Sequence, residues 1–156
     1  MKRMSISIII AALIFGFAIT VHAALIDRGG GMIYSTESNL TWLQDANYAK
    51  TSGYDADGRM TWDEAMNWAA NLSYCGYDDW RLPTYDPGSP QQGCNATLQH
   101  EMAYLLYVEL GNCSGQQPYN FNPFINALTD DNPDGVRWSS LEYDPSQAWY
   151  LYFSCG

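Results

Sequence analysis

The stretch Asp55-Ala56-Asp57-Gly58-Arg59 alternates oxygen ligands before a glycine, as the start of a calcium loop does. An EF-hand loop counted from Asp55 requires a bidentate glutamate at its twelfth position, where Met66 stands instead. A calcium arrangement of another kind, which uses Asp63 or Glu64, stays open beside the simpler interpretation of an Asx turn before a helix. Calcium is therefore the cofactor to consider, with Asp55, Asp57 and Asp63 as candidate ligands.

Histidine chemistry would have to use His100, because the other histidine, His22, lies in an N-terminal segment that we expect to be removed. His100 stands beside Glu101 on a predicted helix, where a structural or surface role is the ordinary expectation. A mechanism of the Ser-His-Asp or Cys-His type would depend on this one side chain. Composition does not exclude a glycosidase-like carboxylate pair, but no pair is singled out. We therefore expect a protein that is not an enzyme.

The N-terminal segment has the three parts of a secretory signal peptide in order. Lys2 and Arg3 come first, an apolar run follows over 6–21, and small residues precede Ala24. The run is short for a membrane span and ends without a basic flank. We expect cleavage near Ala23, a single domain over 24–156 without a membrane span, and a location in the periplasm, at the cell surface or outside the cell.

The net charge of the chain limits the classes of molecule that we expect it to bind. Loss of the leader would leave five basic residues against 17 acidic ones and would change the net charge from −10 to −12. Such a domain repels polyanions, so nucleic acid, sulfated glycans and anionic membranes are disfavoured. Aromatic residues make up 15% of the chain, and their combination of apolar area with a polar group suits a surface that stacks on sugars or proteins. A glycan or a protein is the expected ligand.

Four cysteines, an even number in an exported domain, predict two disulfides rather than a metal site; they are Cys75, Cys94, Cys113 and Cys155. Between Cys94 and Cys113 lies a predicted helix about 21 Å long at 1.5 Å per residue. Short flanks would have to fold back along it to bring the two Cα atoms within about 7 Å. Geometry therefore favours the pairs Cys75–Cys94 and Cys113–Cys155.

The elements that must position these residues form an α+β pattern. Extended pieces are predicted on both sides of Gly29-Gly30-Gly31 and over 39–44. Two more strands, 136–140 and 148–153, are joined by an Asp144-Pro145 turn. The alternation of Trp80 and Leu82 predicts a strand with one buried face, which ends at Pro83.

Two helices complete the pattern. Thr61 and Glu64 form a capping box before an apolar stripe that predicts a helix ending near Gly76. A second helix is expected over about 97–110, and a single helical turn over 124–128. Arg81 lies between them and is expected to pair with a carboxylate such as Asp78 or Asp79, or with loop carbonyls.

Three segments resemble a known bacterial family: 40–45 (LTWLQD), 60–65 (MTWDEA) and 76–84 (GYDDWRLPT), continued by Glu101-Met102 and 137–140 (RWSS). The family is the Lcl C-terminal domain, a domain of unknown function named after the end of a collagen-like adhesin. The resemblance covers nearly all of the chain after the leader. It implies a C-type-lectin-like fold of the variety related to sulfatase-modifying factors, in which two helices pack on a small, twisted, mostly antiparallel sheet.

The resemblance carries further expectations. The lectin analogy pairs Cys75 with Cys155, which would leave Cys94 for Cys113, and both pairings stay open. Family members continue into further strands, so the chain is expected either to have a trimmed sheet or to be a truncated relative. Its last aromatic strand, 149–153 (WYLYF), would then be an edge available for self-association.

The first hypothesis is an exported binding module that holds a glycan or protein with loops 45–59 and 85–93. Its candidate ligand-binding residues are Tyr54, Arg59, Arg81 and Tyr85. The second hypothesis is a structural component of the envelope or extracellular matrix, assembled through the terminal edge strand. The third is a residual enzyme related to the sulfatase-modifying factors.

Overall fold

The glycine triplet turns the chain back on itself, as the sequence predicts. In a computed structural model that describes residues 24–89, 95–112, 118–130 and 132–153, β1 (Leu25–Gly29) pairs antiparallel with β2 (Met32–Ser35). Gly29, Gly30 and Gly31 have φ angles of 76°, 63° and 76°, which only glycine adopts without strain. The predicted signal peptide, residues 1–23, lies outside the described residues.

β3 (Leu40–Leu43) lies antiparallel to β2 and completes a three-stranded sheet in the order β1-β2-β3. The register pairs Met32 with Leu43 and Ser35 with Leu40. Ile33 of the central strand is fully buried. The predicted strand over 39–44 is therefore confirmed, one residue shorter at each end.

A short helix, α1 (Tyr48–Thr51), interrupts the loop before α2 (Trp62–Ala70). Thr61 caps α2 as predicted: the Glu64 backbone N–H donates to Thr61 Oγ1, and the Thr61 backbone N–H donates to Glu64 Oε2 at 2.8 Å. Ala65 and Ala69 form the buried face of α2.

α2 ends earlier than its sequence pattern indicates. Asn71 is the C-cap, and the backbone N–H of Leu72 already bonds in a tighter turn to the Ala69 carbonyl. Gly76, expected to end this helix, has a φ of 84° in a separate turn closed by reciprocal backbone bonds between Tyr74 and Tyr77.

The second predicted helix begins later than expected and changes its pitch. α3 (Glu101–Ala103) continues directly into a π-helix (Tyr104–Glu109). Four of its side chains are buried at the centre of the fold or next to it: Met102, Leu105, Leu106 and Tyr107. Phe121, Leu151 and Phe153 pack against the central cluster from other elements. The helix therefore serves as the main core element.

The C-terminal hairpin forms a sheet of its own. β4 (Arg137–Asp144) and β5 (Gln147–Leu151) are antiparallel, and Asp144 Oδ1 accepts bonds from the backbone and the hydroxyl of Ser146 in the predicted turn. α2 packs on β4, where Trp62 Nε1 donates to the Ser139 carbonyl at 2.8 Å. The described residues thus form a small α+β fold with two antiparallel sheets, where one sheet was expected.

Two predicted elements are wrong. Trp80 and Leu82 alternate in burial with Arg81, but they lie in irregular backbone and not in a strand. The segment 124–128 forms no helical turn, because Ile125 joins Asp45 in a parallel bridge. Tertiary contacts override the local pattern in both places. None of the described helices has the length and apolarity needed to cross a membrane.

Candidate functional site

The Arg81 guanidinium and the Glu101 carboxylate form a bidentate ion pair. Both N···O distances are 2.8 Å, Arg81 also donates to the Leu82 carbonyl, and the Thr84 backbone N–H donates to the same carboxylate at 2.7 Å. Burial alone would raise the pKa of Glu101, but the bonds from Arg81 and Thr84 outweigh it and hold that pKa below its ordinary value. The expected fork to a carboxylate is confirmed, but the partner is Glu101 and not Asp78 or Asp79.

This ion pair forms one wall of a cavity of about 350 Å³, which we name the polar cleft. The cleft lies between β3 and the segment 77–83. Its hydrogen-bonding and aromatic groups come mainly from six residues: Arg28, Thr41, Trp42, Asp79, Trp80 and Arg81. The volume is within the range of small-ligand sites, which are about 300–1,000 Å³.

Two tryptophans, Trp42 and Trp80, line the polar cleft. Their indole N–H groups are buried and have no hydrogen-bond partner among the described residues. A buried donor without a partner costs about 1–3 kcal/mol. The Trp80 ring is held edge-on against the Tyr74 ring at 6.0 Å. The two rings therefore give the polar cleft an aromatic wall, of which the Trp80 part is held in place by this contact.

Arg28 supplies a cation at the edge of the polar cleft. Its guanidinium lies 3.9 Å from the centroid of the Tyr34 ring and donates to Thr41 Oγ1 at 3.2 Å. The residue is exposed, and no carboxylate of the described chain lies within 4 Å of it. Its remaining donors can therefore reach a ligand, and Asp79 supplies an acceptor of opposite charge in the same cleft.

A second cavity, of about 460 Å³, shares a wall with the polar cleft and is named here the apolar cavity. The shared wall includes Trp42, Trp80 and Arg81. Most of the other lining side chains are apolar residues from α2, the π-helix and the loops before β4. The three segments of the family resemblance, 40–45, 60–65 and 76–84, all contribute to this lining, so the motifs meet in space.

The loop candidates lie apart from the polar cleft. Tyr54 is 61% exposed and its ring lies 6.3 Å from that of Trp68. Arg59 is exposed and lines the apolar cavity. Of the predicted ligand-binding residues, only Arg81 lines the polar cleft.

Tyr85 does not occupy the exposed position that a binding loop requires. It is 7% exposed, stacks on the Trp149 ring at 4.6 Å and meets the His100 ring edge-on at 4.2 Å. His100 is fully buried, and neither ring nitrogen has a hydrogen-bond partner in the part of the chain that the structure describes. Burial lowers the pKa of His100. Both residues belong to the packing between α3 and β5.

The predicted calcium ligands form an Asx turn instead of a ligand cage. The Asp55 carboxylate accepts the backbone N–H groups of Asp57 and Gly58, and these bonds lower its pKa. A side chain at position 58 would collide with Asn47, which explains the glycine. Asp63 lies in the first turn of α2. Within the described residues, no three acidic, histidine or cysteine side chains group closely enough to hold a metal ion.

Cys75 is exposed and carries a free thiol in the described structure, with its Sγ donating to the Gly30 carbonyl at 3.4 Å. Cys94, Cys113 and Cys155 lie outside the described residues. Both predicted disulfide pairings therefore stay predictions.

The model of the Lcl C-terminal domain family matches residues 31–87. This match begins inside the glycine triplet and runs through β2, β3, α1 and α2 to the loop after Tyr85. It confirms the resemblance on the segment that carries three of its motifs. Comparisons with curated proteins and with solved structures gave no match.

Sequence reasoning missed Arg28, Thr41 and Asp79 as members of one cleft. Arg28 had one available signal, since it is one of five basic residues after the leader. The pairing of β1 with β2 and of β2 with β3 places Arg28 beside Thr41, a relationship that no local pattern contains.

Proposed function

We propose that this chain is an exported binding module that holds an uncharged glycan in the polar cleft. The observation that carries the proposal is that two tryptophans, Trp42 and Trp80, line one cavity of about 350 Å³ together with Arg28 and Asp79. Sugars present flat C–H faces together with many hydroxyl groups, and sites that combine aromatic rings with a few placed polar groups suit them.

Charge balance favours a neutral sugar over a sulfated one. The charge of Arg81 is neutralised by Glu101, while Arg28 and Asp79 contribute one charge of each sign. The chain as a whole is strongly acidic, so a polyanion would be repelled before it reached the cleft. Export through the predicted signal peptide, and the lectin-like arrangement that the family resemblance implies, are parts of this proposal.

The test is a screen of the oxidised protein, residues 24–156, on an array of neutral and sulfated glycans with and without calcium. We expect saturable binding to neutral glycans that calcium does not alter. Arg28→Gln and Asp79→Asn should each weaken it about tenfold, since a hydrogen bond to a charged group contributes roughly 1.5–3 kcal/mol. Both side chains are exposed, so these variants should fold.

Arg59→Gln is the matched control, because it removes the same charge from an exposed loop residue outside the polar cleft. Unchanged binding in this variant supports the polar cleft. Loss of binding in Arg59→Gln alone would move the site to the loop, and the absence of any saturable glycan would refute the proposal.

A second candidate function is assembly through β5. Within the described residues β5 pairs only with β4, while the outer side of β4 is covered by the Ser140 N–H to Pro83 carbonyl bond. Tyr150 and Tyr152 are each about 40% exposed along the open side, and an open edge of this kind pairs readily with another strand. Light scattering should then show concentration-dependent growth that a Tyr150→Lys, Tyr152→Lys variant loses and a Tyr143→Lys control on β4 keeps.

A further inference from the structure

The apolar cavity has the size of a small-molecule site. Its volume of about 460 Å³ falls within the range of about 300–1,000 Å³ that ligand pockets occupy. An apolar ligand in such a cavity gains dispersion contacts with the lining atoms and removes apolar surface from water. Side chains such as Trp68, Leu82, Met102 and Phe124 supply an apolar lining that an aliphatic chain or a ring would fill.

One partly buried cation, Arg137, interrupts this apolar lining. Its guanidinium donates to the carbonyls of Val136, Asn126 and Ala127 at 2.9, 3.2 and 2.9 Å, while its Nε is buried without a partner among the described residues. No carboxylate of the described chain lies within 4 Å of it. Burial lowers the pKa of Arg137 to about 10, yet the group stays charged at neutral pH. Three backbone carbonyls hold the cation, and its guanidinium carbon lies 5.7 Å from the centroid of the Phe153 ring.

Among the described residues Arg137 forms no direct ion pair, although the charge of Asp45 raises the pKa of Arg137 and so opposes the effect of burial in part. Asp45 is the single acidic residue of the lining, and its carboxylate already accepts bonds from the Asn47 backbone and the Asn126 side chain. Arg59 adds a second cation to the lining, whereas the charge of Arg81 is engaged by Glu101. In a chain with a net charge of −10, this cavity is a local region of positive charge.

We propose that the apolar cavity binds an amphiphilic monocarboxylate, an aliphatic chain or ring whose one carboxylate lies against Arg137. The apolar lining would take the body of the ligand, and the carboxylate would supply a direct ion-pair partner, which Arg137 does not have among the described residues. A buried cation gains most from a partner of opposite charge when that partner also satisfies its free donors. This proposal is independent of glycan binding in the polar cleft.

The first test compares decanoate with decanol, which share an aliphatic chain and differ in charge, below the micelle concentration of decanoate. Four tryptophans line the cavity, so intrinsic fluorescence reports its occupation together with calorimetry; they are Trp42, Trp68, Trp80 and Trp138. We expect one saturable site at which decanoate binds at least tenfold more tightly than decanol. Equal affinity for the two probes, or no saturable binding of either, would overturn the proposal.

Two variants locate the site. Arg137→Gln should remove the preference for decanoate, and Lys50→Gln, which removes one positive charge from an exposed residue outside both cavities, should keep it. Ala69→Phe places a ring in the cavity from α2 and should weaken both probes at least tenfold. Decanoate binding that survives Ala69→Phe would contradict the proposal. This variant and the wild-type comparison decide the question even where Arg137→Gln fails to fold.

Discussion

The Ser35 hydroxyl of β2 donates a hydrogen bond of 2.5 Å to Oε1 of Glu109, at the end of the π-helix and 74 residues further along the chain. Ser35 is fully buried, and the Ser38 hydroxyl donates to it at 2.6 Å. The other carboxylate oxygen of Glu109 is buried and has no hydrogen-bond partner among the described residues. One polar contact thus links the three-stranded sheet to the main core helix.

We expect Ser35→Ala to destabilise the protein by about 1–3 kcal/mol, because it leaves a buried carboxylate oxygen without its donor. Urea unfolding at neutral pH measures this. Ser38→Ala removes a hydroxyl of the same chain of bonds without touching Glu109 and should cost less. Equal losses in the two variants would show that the contact with Glu109 contributes nothing of its own.

Glu109 should make stability fall as the pH rises. Burial raises its pKa, the Ser35 bond lowers it in part, and the charge of Glu37 raises it further. Between pH 4.5, the ordinary pKa of a glutamate, and the higher pKa of the folded state, Glu109 is protonated in the folded protein and ionised in the unfolded chain. Glu109→Gln should remove this loss, so its stability advantage over the wild type should grow from pH 4.5 upward. An advantage that does not change with pH would contradict the assignment.

The Glu101 carboxylate should have the opposite pH dependence. Since its folded pKa lies below the ordinary value of 4.5, its contribution is present above that value and is lost as the pH falls through the folded pKa. Arg81 is half exposed, so we expect only about 1 kcal/mol from Arg81→Lys, which keeps the charge and loses the bidentate geometry. Glu101→Gln should cost more at pH 7, because Thr84 also loses a charged acceptor, and the difference from wild type should shrink below pH 4.5.

His100 should make the protein less stable in mild acid. Burial holds its pKa below 6.5, so the unfolded state binds the proton first and stability falls as the pH drops below that value. The negative charge of Asp86 raises the pKa of His100 and so opposes the effect of burial in part. His100→Phe keeps the ring packing on Tyr85 and removes two unpartnered nitrogens, so its melting temperature should change less than that of the wild type between pH 7.5 and 5.5. Parallel pH profiles would show that another group is responsible.

The four cysteines should form two disulfides in protein secreted with its own leader. Thiol titration under denaturing, non-reducing conditions should find no free thiol, and peptide mapping should distinguish the pair Cys75–Cys94 from the pair Cys75–Cys155. One modified thiol at Cys75 would contradict the two-disulfide prediction. Because Cys75 is exposed, a thiol left free at this position would also react with the reagent in the folded protein.

Sequence alone determined the elements whose signals are local. The capping box at Thr61 and the glycine triplet before β2 each act within a few residues, through side chains and φ angles that the local chain already contains. The hairpin turn at Asp144 is of the same kind. The α+β class follows from these elements, and the family match over 31–87 rests on the same segments.

Only the tertiary structure decided which residues meet. Arg81 pairs with Glu101 and not with the neighbouring carboxylates, because the chain after residue 84 folds back and places α3 next to Arg81. Tyr85 is a core residue because the rings of Trp149 and His100 pack against its ring. The surroundings of Arg137 also depend on the tertiary structure, since backbone carbonyls of residues 126 and 127 accept bonds from its guanidinium beside the apolar cavity. Burial and ion pairing depend on distances between segments far apart in the chain, and no local pattern encodes those distances.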